Sequence, residues 1–149
     1  MKQEYSRRKQ LIEATKKVDE FILFVLFNSE DDEEWKEIMC GYERYFVSSK
    51  GRILSIKGSN PLIMTPFNPN GYKYITICNH GIKTQKRVNR LVAEAFLPNP
   101  EEKKVVHHKE DHNKANNNVE NLQWATHSEN TIAYNDYKKK NKEEAINGS

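Results

Sequence analysis

Cysteine is scarce: Cys40 and Cys78 are the only two in 149 residues. They form no CxxC pair, which excludes a disulfide framework and a cysteine-based zinc knuckle. Two ordinary reduced thiols in a reducing compartment are the expectation. Long apolar runs are also missing. The longest, Phe21-Ile22-Leu23-Phe24-Val25-Leu26-Phe27, falls far short of the about 20 residues that span a bilayer, so no membrane association is expected. The run starts late, follows Asp19-Glu20 and lacks a small-residue cleavage site, so a signal peptide is not expected either. The expected location is intracellular, in cytoplasm or nucleus. With 36% hydrophobic and 30% charged residues, any core is small, and the length suits one compact domain with extensions or two very small modules.

A strong overall charge is absent too, the net value being +3, but the distribution is uneven. Residues 28–41 carry one lysine against six acids, and residues 42–100 carry nine basic groups against Glu43 and Glu94. The middle of the chain is therefore suited to face a phosphate backbone, while a plain solubilising surface carries the same signature.

Leu11, Thr15, Val18, Ile22 and Val25 recur at spacings of four and three, which predicts an N-terminal helix with that stripe inward. Its Phe-rich end also fits a buried strand, and periodicity does not separate the two. The stripe needs a cover, either the rest of the chain or a second copy, so a monomer or a weak dimer through this helix is expected. An acidic linker follows to residue 33. Tyr45–Val47 and Arg52–Ile56 read as strands around Ser48-Ser49-Lys50-Gly51, and Leu62–Met64 as a short strand. Tyr72–Cys78 alternates, Asn79-His80-Gly81 reverses the chain, and Ile82–Val88 returns with Lys83, Lys86 and Arg87. Such a basic ribbon fits a DNA major groove and equally well builds a sheet. Asn89 is placed to cap a helix through Phe96 that Pro98 stops.

The most informative text comes next. Val105-Val106 enters a strand carrying His107 and His108, which alternate to opposite faces. Lys109–Glu120 is rich in turn formers, with Asn116 and Asn117 expected to brace it through side-chain to backbone bonds. Asn121-Leu122-Gln123-Trp124 reads as a second strand, with Leu122 and Trp124 as core candidates. Thr126-His127-Ser128-Glu129 is a capping box that starts a helix and puts Asn130 in its first turn. Imidazoles and amides gathered this way suit a divalent ion and an activated water.

The order His107-His108, Asn121, Leu122-Gln123-Trp124, capping box and Asn130 resembles the HNH nuclease motif, the ββα-metal finger. Val88–Phe96 resembles the helix that precedes that finger. Glu34–Ile56, with W-x-x-I, then GYE, then Y-x-V-S-x-x-G-R-x-x-S, resembles the NUMOD-type module that often precedes HNH units in homing endonucleases. The departures are the insertion of Met39-Cys40 before Gly41, Asn89 where the family often has histidine, and His107 where many relatives have Asp or Asn. The loop is also one residue longer at Asp111-His112, where relatives commonly have glycine.

The resemblance implies an α+β fold: a small β module plus a C-terminal ββα-metal (His-Me finger) HNH domain, with an N-terminal helical extension. The expected division is 1–33 for the extension and linker, 34–84 for the NUMOD-like module with its basic hairpin, 85–135 for the HNH domain and 136–149 for a flexible tail. It implies metal-dependent hydrolysis of double-stranded DNA, with no small-molecule cofactor. His108 would be the general base, and Asn121 would hold its ring by a hydrogen bond. His107 and Asn130 would bind one divalent ion, Mg²⁺ or Mn²⁺ with Zn²⁺ also suited to an imidazole, and His127 is the alternative to Asn130. Arg52, Lys83, Lys86, Arg87 and Arg90 are the expected DNA contacts. Two other classes fit the residues: a DNA-binding protein with a degenerate HNH unit, and a structural zinc module using His107, His108, His112 or His127.

Overall fold

The computed structural model describes residues 2–39, 44–109 and 112–148. Cys40, the Gly41-Tyr42-Glu43 part of the module pattern, and Glu110-Asp111 of the loop lie outside the described residues. Helix α1 (Lys2–Asn28) leads into strands β1 (Trp35–Glu37), β2 (Tyr45–Ser48), β3 (Ile53–Ser55) and β4 (Leu62–Ile63). These four form one antiparallel sheet in chain order. A hairpin, β5 (Tyr74–Asn79) and β6 (Ile82–Arg87), runs directly into α2 (Val88–Phe96). The ribbon β7 (Val105–His108) and β8 (Leu122–Ala125), with a 3₁₀ turn at Val119–Asn121, then gives way to α3 (His127–Asn147).

One apolar cluster joins these parts. Val47 and Ile53 come from the sheet, Ile75 and Ile77 from β5, Val88, Leu91 and Val92 from α2, and Leu122 from β8. The alternation in β5 explains its share, since Ile75 and Ile77 face inward on the pleat. Helix α2 presents Leu91 and Val92 to the ribbon that carries the histidines. Leu122 is only 2% exposed, so the second strand of the finger is anchored in the same core as the sheet. Trp124 is half-buried and donates its indole N–H to Leu97 O at 3.1 Å.

Several expectations are corrected. The N-terminal segment is helical to Asn28, including its Phe-rich end, but Leu11, Val18 and Ile22 on the expected inward stripe are 62%, 55% and 48% exposed. Contact with the sheet is made instead by Phe21, which stacks on Phe46 with ring centroids 4.0 Å apart. Asn89 is not the cap of α2. Val88 N is tied to Lys73 O at 2.9 Å, so the helix begins two residues earlier with Arg87 at the cap, and Asn89 is carried into the buried first turn. The segment expected as a tail from residue 136 continues α3 to Asn147. Its lysines and glutamates are good helix formers, and Lys140 and Glu144 pair across one turn.

The acidic linker is fastened to the sheet by Arg52. Its guanidinium donates to both carboxylate oxygens of Glu33 and to Asn28 O, and lies over the Trp35 ring. The Glu33 side chain is fully withdrawn from water while Arg52 keeps 28% of its surface exposed. Burial alone would raise the Glu33 pKa, but the hydrogen bonds from Arg52, Ser48 and the Glu30 backbone outweigh it and hold the carboxyl below its usual range. Because the folded-state pKa is the lower one, the pair stabilises the fold above the ordinary carboxylate pKa, and that stabilisation is lost as pH falls through the depressed value. Arg52→Ala is expected to cost about 2 kcal/mol at neutral pH, less than the roughly 3–5 of fully buried pairs. Urea unfolding at pH 7 and pH 3 checks this: the difference between wild type and variant should shrink at the lower pH, and a pH-independent difference counts against the ion pair.

Candidate active site

The β7–β8 register pairs His107 with Gln123 and His108 with Leu122. Both histidine side chains are nevertheless nearly buried, at 6% and 5% exposure, and both line one cavity of about 320 Å³ together with His112, Asn130 and Tyr72. Each ring is held by an asparagine. His107 Nδ1 lies 2.7 Å from Asn130 Oδ1, reaching from β7 to the first turn of α3. His108 Nε2 lies 3.1 Å from Asn117 Oδ1, within the loop that joins the two strands. An amide oxygen only accepts, so the facing ring nitrogen is the N–H in each pair.

Asn130 is placed by the start of α3. Thr126 accepts from Glu129 N at 3.1 Å, and Glu129 accepts from Thr126 N at 2.7 Å, the capping box read from the sequence. That backbone N–H, helped by Lys103, holds the Glu129 carboxyl below its usual range. Lys103 reaches Glu129 at 3.1 Å and so ties the helix start to the segment entering β7. His127 is exposed at the first helical residue and does not line the cavity.

Asn121 sits elsewhere than expected. Its Nδ2 donates to Asn116 O at 2.9 Å, its backbone N donates to Asn118 O at 2.9 Å, and its carbonyl accepts from Lys109 N at 2.9 Å. Asn121 thus closes the loop on itself, and among the described residues the hydrogen bond to the His108 ring comes from Asn117. The sequence reading took Asn117 for a backbone brace. A run of asparagines gives no signal that one of them turns inward to a histidine.

The expected DNA contacts divide into two groups. Arg52 is committed to Glu33 and Asn28, and Arg90 to Glu94 and Lys104 O while it lies over Trp124. Both bond acceptors of the protein itself, Arg52 from a mostly covered position and Arg90 from an exposed one. The pleat of β6 puts Lys83 and Arg87 on the exposed face and Lys86 on the half-buried one. Arg87 donates to Tyr74 OH at 3.0 Å and lies 4.8 Å from the Tyr72 ring centroid. Hydrogen bonds from Asn70 and then Arg87 lower the Tyr74 pKa. Lys114 lies over Tyr72 at 4.7 Å, and the Tyr72 ring is 6.0 Å from that of His108. A basic-aromatic strip thus leads from the ribbon to the lip of the cavity. Tyr72 and Lys114 were missed in the sequence because they meet only in the fold.

His112 was singled out in the sequence only as the extra loop residue and a zinc candidate. It takes φ +49, stacks on Tyr137 of α3 at 4.1 Å and meets the His107 ring edge-on at 5.1 Å. Among the described residues no three His, Cys, Asp or Glu side chains cluster as a metal cage, so a closed zinc site built from those side chains has no ligand set there.

Comparison with known proteins adds the following. Residues 86–132 match the HNH endonuclease family and residues 33–78 match the NUMOD4 motif. Two uncharacterised HNH endonucleases of Acanthamoeba polyphaga mimivirus are 35% identical over 88 residues and 41% identical over 106 residues. These alignments cover 59% and 68% of this chain, and 26% of each relative. The DNA endonuclease I-HmuI of Bacillus phage SP01 is 43% identical over 94 residues, covering 62% of this chain and 52% of that protein. The chain therefore spans about a quarter to about half of the curated relatives it matches. A solved structure of DNA binding and cleavage by the HNH homing endonuclease I-HmuI superposes with a TM-score of 0.63 and 35% identity, over 77% of this chain and 68% of that one.

Asn121→Ala removes the donor that closes the loop and leaves the Asn116 carbonyl without it. A loss of about 1–3 kcal/mol in urea unfolding is expected, and a change below about 0.5 kcal/mol is inconsistent with the bracing geometry.

Proposed function

We propose, on the premise that the chain belongs to the HNH endonuclease family, that it hydrolyses phosphodiester bonds of double-stranded DNA with the help of one divalent ion. The observation that carries this reading is that His107, His108 and Asn130 meet in a single cavity. Elsewhere among the described residues the histidines are scattered, with His80 in the β5–β6 turn and His127 on the surface.

The donor set fits an ion. With His107 in its Nε2–H tautomer, Nδ1 and Asn130 Oδ1, 2.7 Å apart at the wall of the cavity, would give up their mutual hydrogen bond and offer a nitrogen and an oxygen ligand suited to Mn²⁺ or Mg²⁺, with the imidazole extending the range to Zn²⁺. A bound ion supplies Lewis-acid stabilisation of the negative charge that grows on the phosphate and on the departing 3′ oxygen. The protein's own groups do the rest. His108 accepts the proton of a water molecule as that water's oxygen bonds to phosphorus and the bond to the 3′ oxygen breaks. Imidazole is the side chain whose ordinary pKa, about 6.5, lies close to neutrality. Lys83, Arg87 and Lys114 line the approach and neutralise flanking phosphates, and Tyr72 holds the last two in place. Phosphate contacts of this kind position a duplex and carry no sequence information.

Incubation of supercoiled plasmid with and without Mg²⁺ or Mn²⁺ tests the reading. Metal-dependent nicking is expected, with His108→Ala slowing it by roughly 10²–10⁴. Nicking that survives His108→Ala removes the base assignment, and DNA that is bound with strong salt dependence but never cut points to a degenerate unit. A second expectation concerns binding. Lys83→Ala and Arg87→Ala should each lower the slope of log affinity against log salt by about one, whereas Arg90→Ala should not. Fluorescence anisotropy over a salt series measures this, and equal slopes for all three would sink the division of the arginines made above.

A further inference from the structure

We propose that Asn117 is the positioning residue of the His108 ring and that it is held in place from the neighbouring NUMOD module by the turn at Gly51; the inference rests on the nuclease reading of His108.

Asn117 is 4% exposed and His108 is 5% exposed, so the bond between them lies out of water, where it is both stronger and more directional. The amide oxygen accepts, so His108 Nε2 carries the proton and Nδ1 is the ring nitrogen able to take one. Among the described residues the buried amide nitrogen of Asn117 has no hydrogen-bond partner. The carbonyl side of this amide is the part in use.

Asn117 does not set its own position. The loop is closed behind it by Asn121 on Asn116 O. In front of it stands the β2–β3 turn, where Val119 N donates to Ser49 O at 2.7 Å. Gly51 of that turn takes φ +79, and a Cβ built there would lie 2.7 Å from Asn117 Cβ and 3.0 Å from its carbonyl oxygen. Glycine is needed at this position twice, for its backbone conformation and for the room its missing side chain leaves. The turn of the β module is thus pressed against the residue that aims the imidazole, and a displacement of that turn moves the base.

NMR of the imidazole protons in the full chain decides the matter. In wild type the His108 Nε2–H should appear downfield and exchange slowly with water. Asn117→Ala should abolish that signal and lower kcat for nicking by about 10- to 100-fold with KM unchanged. Asn117→Asp, which has nearly the same volume and keeps an acceptor oxygen, should retain the signal and recover most of kcat. Gly51→Ala should reproduce the loss seen with Asn117→Ala while circular dichroism shows the fold intact, and if it fails to fold, the two Asn117 variants decide the proposal by themselves. A His108 protonated on Nδ1 in wild type, or an Asn117→Ala protein with both signal and kcat unchanged, overturns it. If wild type never cuts DNA, the nuclease reading fails on its own, because the imidazole proton reports on Asn117 whether or not catalysis occurs.

Discussion

Two adjacent residues on one strand, His107 and His108, line a common cavity because each ring is pinned by an asparagine from a different element. An isolated strand would send them to opposite faces with free side-chain rotation. The α3 amide fixes one and the inter-strand loop fixes the other, so the placement of the two rings depends on where α3 starts and how the loop closes. The capping box settles the first within a residue, and the amide of Asn121 settles the second.

A 149-residue chain with little apolar content has few ways to make such a site rigid. Here the finger does not stand alone. Leu122 belongs to the same cluster as Val47, Ile53, Ile75 and Val92, and the β2–β3 turn touches the loop between β7 and β8 directly. Burial of one shared core therefore stabilises the β module and the finger together. The basic strip from β6 to Tyr72 and Lys114 extends that frame toward the cavity, with Arg87 and Lys114 each laid over the Tyr72 ring, which limits their motion.

Much of this was legible in the sequence wherever the signal is local. The hairpin announced itself by alternation and by Asn79-His80-Gly81, and His80 and Gly81 both take positive φ. The capping box fixed the start of α3, and the order of histidines and asparagines identified the finger. What escaped was non-local. Nothing in a run of asparagines distinguishes Asn117, which bonds a ring, from Asn121, which bonds a carbonyl. Arg52 and Arg90 carry no local sign of the carboxylate and carbonyl partners that they bond in the fold. The cap of α2 shifted because the hydrogen bond from Val88 N to Lys73 O, which continues the hairpin ladder, overrode the local preference of Asn89. The helical stripe of α1 was real as periodicity but had no surface to meet along most of its length.

A structure of the chain bound to a hydrolysis-resistant phosphorothioate duplex with Mn²⁺, an ion that accepts both imidazole and oxygen ligands, tests the account most directly. The ion is expected on His107 and Asn130, with one backbone phosphate beside it and a water between that phosphate and His108 Nδ1. A phosphate seated away from this cavity, or an ion held by other residues, contradicts it.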